Sequence, residues 1–228
     1  MGCSPVAYPG GQPVASEQIN EKFAQAWGVP LSKKPGLTES AMVLGPSSVK
    51  GLYVVGTNLL RNSPHSGNTR DVLKAMDFLV VQDMFLTETA ELADVVLPAA
   101  SFAEKDGTYT SSWRFVQRVR RIIEPIGNSM PDWEIVCELA RRMGYDMRYD
   151  SPRDIMEEIA SLTPSYGGIS YDRLEDVGLR MPCPTREHPG TEFLWGETFK
   201  TDTGKGKFFP AEYLPPAETA DLEYPFLL

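Results

Sequence analysis

The sequence predicts an α/β fold: an open, mainly parallel sheet flanked by helices, with irregular N- and C-terminal extensions. Three observations carry this. The short apolar runs "GLYVVG" (51–56), "FLVVQD" (78–83) and "DVVLPA" (94–99) each have the length of a buried strand and are bounded by Gly, polar residues or Pro. The segments between them, "GNTRDVLKAM" (67–76) and "TETAELA" (87–93), have helical character; in the first, Val72, Leu73 and Met76 share one face. Strand, helix, strand, helix, strand is the rhythm of a parallel sheet with right-handed crossovers.

Before this core, residues 1–50 are rich in Pro, Gly and Ser and form an irregular lead-in with one short helix, "SEQINEKFAQAW" (16–27). Ser16 is placed to cap it, and Phe23, Ala26 and Trp27 share a face. Thr87 is placed to cap the "TETAELA" segment. After the third strand, Asp106-Gly107 is a turn signal with β-branched and aromatic flanks. "VQRVRRII" (116–123) suits a strand or a helix start, and the Pro125 and Gly127 that close it favour the extended form. "PDWEIVCELARRMG" (131–144) is a helix: Pro131 or Asp132 starts it, Arg141 and Arg142 fill its last turn, and Gly144 ends it. Its expected apolar face is Trp133, Val136, Cys137, Leu139, Ala140 and Met143. "SPRDIMEEIASL" (151–162) is a second good helix, with Ser151 as cap and Pro152 at the first helical position. The α/β core is expected over 51–162. Residues 163–228 are expected to be an irregular extension holding a short helix in "SYDRLEDVG" (170–178) and a hairpin arm or edge strand in "GKGKFFPAEY" (204–213).

Composition narrows the function. The 228 residues carry a formal charge of −9, which argues against a general nucleic-acid or anionic-membrane surface. No run of about 18 apolar residues occurs, and no basic-then-apolar leader opens the sequence. Three cysteines without a CxxC pair argue against a disulfide framework or an iron–sulfur site built from this chain alone, and for a reducing, cytoplasmic setting. His65 and His188 are not in metal-ligand spacing. The pattern is Rossmann-like, yet GxGxxG, GxxxxGK[ST] and GxSxG are all missing, so neither the standard dinucleotide motif, nor a P-loop, nor a nucleophile elbow is present.

What the core does offer is a polar rim. Ligands of open parallel sheets bind beyond the C-terminal strand ends. Here those ends carry Gly56-Thr57-Asn58, Gln82-Asp83 and Pro98 to Ser101. An Asp at such a rim can accept two donors at once, from a guanine edge or from paired ribose hydroxyls, while Gln82 and Asn58 each supply both a donor and an acceptor. Lys105 has the reach for a phosphate or a carbonyl. Each residue also has a plainer role: Gln82-Asp83 as a turn starter, Thr87 and Asp132 as helix caps.

The stretch "LVVQDMFLTETAELADVVLPAASFAEKDGTYTSSWRFVQRVRRIIEP" (79–125) resembles the catalytic subunits of molybdopterin oxidoreductases, and among these the large subunit of molybdenum- or tungsten-dependent formate dehydrogenases. "PDWEIVCELARRMGY", "LTPSYGGISYDRLE" and "PCPTREHPGTEFL" continue the resemblance in order, as do "MGCSPVAYPGGQPV" and "KFAQAWGV" at the front and "EYPFLL" at the end. The resemblance implies an internal piece of such a subunit. It would clasp the guanosine end of a molybdopterin guanine dinucleotide, with the iron–sulfur cluster, the metal ligand and the catalytic residues outside this chain. The remainder of the catalytic subunit and the electron-transfer subunits would be its partners, and alone it is expected to be inactive. By the same resemblance Asn58 approaches the dinucleotide, Gln82 and Asp83 contact its guanosine, and Thr87 lies by the phosphate or ribose. Lys105 and Asp132 are further cofactor contacts, with Asp132 on the guanine edge. Nitrate reductases and the large subunit of respiratory complex I share the scaffold, and a non-catalytic α/β interaction domain is the alternative of another class. The sequence departs from the family's pattern at "SSWRF", where a Glu-Arg pair is usual, at "SAMVLGPSSVK", where a longer helix is usual, and at "GTNLL", where "GENP" is common.

Overall fold

The computed structural model describes residues 4–44, 48–63, 66–199, 201–213, 220–223 and 225–226. Cys3 and His65 lie outside these residues. The N-terminal segment opens with a small antiparallel pair, β1 (Ala7–Tyr8) and β2 (Gln12–Pro13), followed by α1 (Glu17–Trp27). The Ser16 side chain accepts from the Ile19 amide, and Gly28 ends α1 in the left-handed region with φ +67°. A short helix, α2 (Glu39–Val43), then leads to the sheet.

The predicted parallel sheet is present. It is built from β3 (Gly51–Val55), β4 (Phe78–Asp83) and β5 (Val95–Pro98) in that spatial order, with Val55 opposite Gln82 and Asp83 opposite Pro98. Between β3 and β4 run α3 (Leu59–Asn62) and α4 (Ser66–Lys74). Strand alternation divides the side chains. Val54, Leu79 and Val81 point to one face and bury with Val43, Leu59, Leu60, Leu73 and Ala90. Tyr53, Val80 and Gln82 occupy the opposite face. "TETAELA" forms only a 3-10 turn at Ala90–Leu92, where the Thr87 hydroxyl accepts from the Ala90 amide at 3.2 Å.

A second sheet is antiparallel: β6 (Gly107–Thr110) pairs with β7 (Phe115–Val119), which pairs with a later strand at Leu179–Arg180. The hairpin reverses at Ser111–Arg114, not at Asp106-Gly107, which leads into β6. Ser111 and Phe115 close the turn by backbone bonding, and Arg114 takes φ +64°. The ambiguous "VQRVRRII" is extended over its first four residues, Val116–Val119, which belong to β7.

Helix α5 spans Asp132–Arg142 and α6 spans Pro152–Leu162. The buried face of α5 is Ile135 and Cys137, whereas Val136 and Met143 are exposed, so the expected apolar face is rotated. Trp27 anchors the N-terminal segment nearby. Its carbonyl accepts from the Tyr145 hydroxyl at 2.9 Å and its Nε1 donates to Glu158 of α6 at 2.9 Å, which ties α1 to the α5 and α6 regions. "SYDRLEDVG" is a 3-10 turn at Asp172–Leu174. With β8 (Leu179–Arg180) it completes a second core of Val116, Met156, Tyr166, Ile169, Tyr171, Leu174, Leu179 and Cys183. Gly168 has no room for a side chain: a Cβ there would lie 1.8 Å from the Thr185 carbonyl oxygen.

Residues 1–191 form one compact unit, and residues 192–228 form another. In the second, Trp195 stacks on Phe199 with centroids 6.1 Å apart, and the Phe199 amide donates to the Gly204 carbonyl. The hairpin arm expected over 204–213 forms no strand. Phe208 and Phe209 are exposed, and no ladder partner exists for them among the described residues. No helix among the described residues is long and apolar enough to cross a membrane.

Candidate functional site: the C-terminal rim of the parallel sheet

The parallel register brings the ends of β3, β4 and β5 to one rim. Gly56, at φ +62°, turns the chain off β3 while its amide still donates to the Gln82 carbonyl at 2.9 Å. Asn58 follows as the first residue before α3. Its side-chain amide is held at both ends: Oδ1 accepts from the Thr89 hydroxyl at 2.8 Å, and Nδ2 donates to Glu88 at 2.5 Å. Thr89 is fully buried and also accepts from the Leu60 amide at 3.2 Å, so one hydroxyl pins both the start of α3 and the loop after β4. The Glu88 carboxyl is held below its ordinary range, first by its own backbone amide and then by Asn58.

Gln82 is 0% exposed. Its Oε1 accepts from the Tyr53 hydroxyl, and its Nε2 donates to Asp132 Oδ1 at 2.7 Å. Asp132 is the first residue of α5, whose N-cap is Pro131, and its side chain reaches the sheet. The other carboxylate oxygen, Oδ2, forms an ion pair with Lys105 Nζ, which also donates to the Ala100 carbonyl at 3.0 Å. Tyr53, Gln82, Asp132 and Lys105 therefore make one continuous chain of hydrogen bonds across the rim. Burial, and then the charge of Asp132, push the Tyr53 hydroxyl above its ordinary range.

Lys105 is delivered by its neighbours. Ser101 and Glu104 form a capping box around a 3-10 turn at Phe102–Glu104. Glu104 is buried; Oε2 accepts from the Ser101 amide at 2.7 Å and Oε1 from the Ile126 amide at 2.8 Å. The Ser101 amide first, then its hydroxyl, hold the Glu104 carboxyl below its ordinary range. The residue after this clamp is Lys105, whose side chain is 20% exposed, against 39% for Asp132.

Asp83 is the last residue of β4, and Thr87 lies on the loop beyond it. Asp83 Oδ1 accepts from the Phe85 amide at 3.0 Å, the turn geometry its residue type favours. Thr87 Oγ1 accepts from Ala90, as described above. The structure thus joins Gln82, Lys105 and Asp132 directly. It places Asn58 at the adjoining strand end, Asp83 at the end of β4 and Thr87 on the loop that follows. Three contributors escaped the sequence reading: Tyr53, Glu88 and Thr89. Tyr53 was detectable from the period of two, because its register neighbour Val80 lies two residues before Gln82 on the same face. Thr89 carried no distinguishing local signal.

A strand-end site of this kind on an open parallel sheet defines an α/β chain with a polar, charge-paired rim and no metal-holding cluster of His, Cys, Asp or Glu among the described residues. The chain belongs to the molybdopterin oxidoreductase family, whose model matches residues 11–142, from just before β2 through the end of α5. It is 44% identical over its full length to the F420-dependent formate dehydrogenase subunit alpha of Methanocaldococcus jannaschii and covers 34% of that protein. It is 41% identical, with the same coverage, to the F420-dependent formate dehydrogenase 1 subunit alpha of Methanococcus maripaludis. The chain therefore spans about a third of the length of these curated relatives. Among solved structures, the acetylene hydratase of Pelobacter acetylenicus shares the fold. It has a TM-score of 0.51 and 20% identity, over 73% of this chain and 24% of that one. Family membership implies a molybdopterin cofactor.

Proposed function

We propose that this chain is the part of a formate dehydrogenase catalytic subunit that grips the guanosine end of a molybdopterin guanine dinucleotide. The carrying observation is the Asp132 carboxylate, oriented by Gln82 on one oxygen and Lys105 on the other at the strand-end rim. A carboxylate offers about four acceptor positions. With one position on each oxygen engaged, a pair remains for the N1–H and exocyclic N–H groups of a guanine. Identity of 44% and 41% over the whole of this chain, a third of each relative, to subunits named formate dehydrogenase alpha supports formate as the substrate of the parent enzyme.

The residue types fit the group. Asp83 has acceptor capacity for ribose hydroxyls, Thr87 offers a hydroxyl toward a diphosphate, Lys105, paired with Asp132, keeps a donor for a carbonyl at the guanine end, and Asn58 closes the rim from the β3 side. The bound cofactor, with molybdenum or tungsten, supplies the redox chemistry of formate oxidation. The residues of this chain bind and orient. Electrons would leave through an iron–sulfur cluster held elsewhere in the subunit, and then through partner subunits in the cytoplasm.

Two results test this. The 228-residue chain alone is expected not to reduce a viologen dye with formate; formate-dependent reduction would place catalytic residues here and defeat the reading. In a fluorescence titration the chain is expected to bind GDP and to prefer it over ADP. Asp83→Ala should weaken GDP binding by about ten- to a hundredfold, the loss of one charge-assisted hydrogen bond of about 1.5–3 kcal/mol. Equal affinity of the variant and the parent chain removes Asp83 from the site.

A further inference from the structure

A side-chain amide buried between two partners has a direction, and here the direction is set at both ends. Asp132 Oδ1 can only accept, so the group facing it at 2.7 Å must be the Gln82 Nε2 donor. Gln82 Oε1 therefore faces the other way, toward the Tyr53 hydroxyl, which must donate. Gln82 has no exposed surface, so water does not stand in for that hydroxyl without rearrangement. On the far side Lys105 holds Oδ2. The carboxylate plane is thus clamped from two directions, and Tyr53 is the outermost link of one of them.

We infer that Tyr53 is a positioning residue for the Asp132 site: its hydroxyl fixes the Gln82 amide, which fixes the plane of the Asp132 carboxylate and so its discrimination between guanine and hypoxanthine. Guanine offers two N–H groups to one carboxylate and hypoxanthine offers one. A correctly turned carboxylate engages both, whereas a turned-away one treats the two bases alike. Tyr53 itself touches no base. The inference rests on the guanosine reading proposed above.

The test is Tyr53→Phe in the full 228-residue chain, with two readouts. The first needs no ligand: the side-chain amide resonances of Gln82 in a 15N-labelled sample. They are expected to shift and to exchange faster with water in Tyr53→Phe, because the amide loses one of its two anchors. The second is titration with GDP and with IDP. GDP affinity is expected to fall about tenfold and IDP affinity less than about threefold, so the preference for GDP shrinks. An equal loss for both nucleotides marks a merely structural role and overturns the inference, as does an unchanged GDP-to-IDP ratio. An unmoved Gln82 amide overturns it without reference to any ligand. A Gln82 amide that moves, in a chain whose parent form binds GDP and IDP alike, keeps the Tyr53–Gln82–Asp132 linkage but defeats the guanosine reading and the specificity drawn from it.

Discussion

Asp132→Ala is expected to lower the affinity of the chain for GDP by at least about a hundredfold, roughly 2.7 kcal/mol. The carboxylate is the acceptor for both guanine N–H groups in the proposed site, and a hydrogen bond to a charged group contributes about 1.5–3 kcal/mol. The substitution also strands its partners. Gln82 Nε2 is left buried without an acceptor, and Lys105 keeps only the Ala100 carbonyl. A fully buried ion pair broken on one side costs about 3–5 kcal/mol. Asp132 and Lys105 are 39% and 20% exposed, and water screens them, so about 1–3 kcal/mol is expected in urea unfolding. Asp132→Asn keeps the size and one acceptor but presents a donor where the base also donates. It should lose most of the GDP affinity with a smaller loss of stability. GDP affinity within twofold of the parent chain for either variant would remove Asp132 from the site.

Phe23→Ala is expected to have the largest effect on stability, about 3–5 kcal/mol in urea unfolding. Phe23 is 0% exposed. Its ring stacks on Tyr8 with centroids 4.5 Å apart and packs against Trp27 at 5.0 Å. That cluster is the hinge pin between the N-terminal segment and the rest of its unit. Tyr8 accepts from Asn20 at 2.8 Å, Lys22 and Gln12 both donate to the Leu162 carbonyl, and Trp27 bonds to Glu158. Removing the ring opens a cavity and loosens several long-range bonds together. Phe23→Leu fills much of the volume and should cost less than half as much. A loss under about 1 kcal/mol for Phe23→Ala would mean that the segment contributes little to the folded state.

The two variants also separate what was legible in the sequence from what was not. The strand positions were legible because apolar runs and their polar ends are local features. The three parallel strands lie within a residue of the runs that predict them, and the rim carries the residues expected there. The turn at Ser111–Arg114 was missed because Asp106-Gly107 is the stronger local signal. The hairpin instead takes the register that lets β7 pair with β8, which lies some 60 residues further along. The face of α5 was misjudged for a similar reason. Its helical period is correct, but which side is buried is decided by what packs against the helix, which the period alone does not state.

The same division holds at the site. Composition, spacing and resemblance sufficed to nominate Asn58, Gln82, Asp83, Thr87, Lys105 and Asp132, because residue type limits which atoms a side chain can donate or accept. Tertiary structure alone decided which of them meet. Gln82 and Asp132 stand 50 residues apart and meet only because α5 begins beside the end of β4. Gln82 is thereby buried and directs another residue, and Asp132 reaches into the rim where a helix cap was the plainer expectation. Tyr53 enters only through its place on the same strand face. The alternation of side chains along a strand is written in the chain, but which alternate residues face a partner across space is set by how the elements pack.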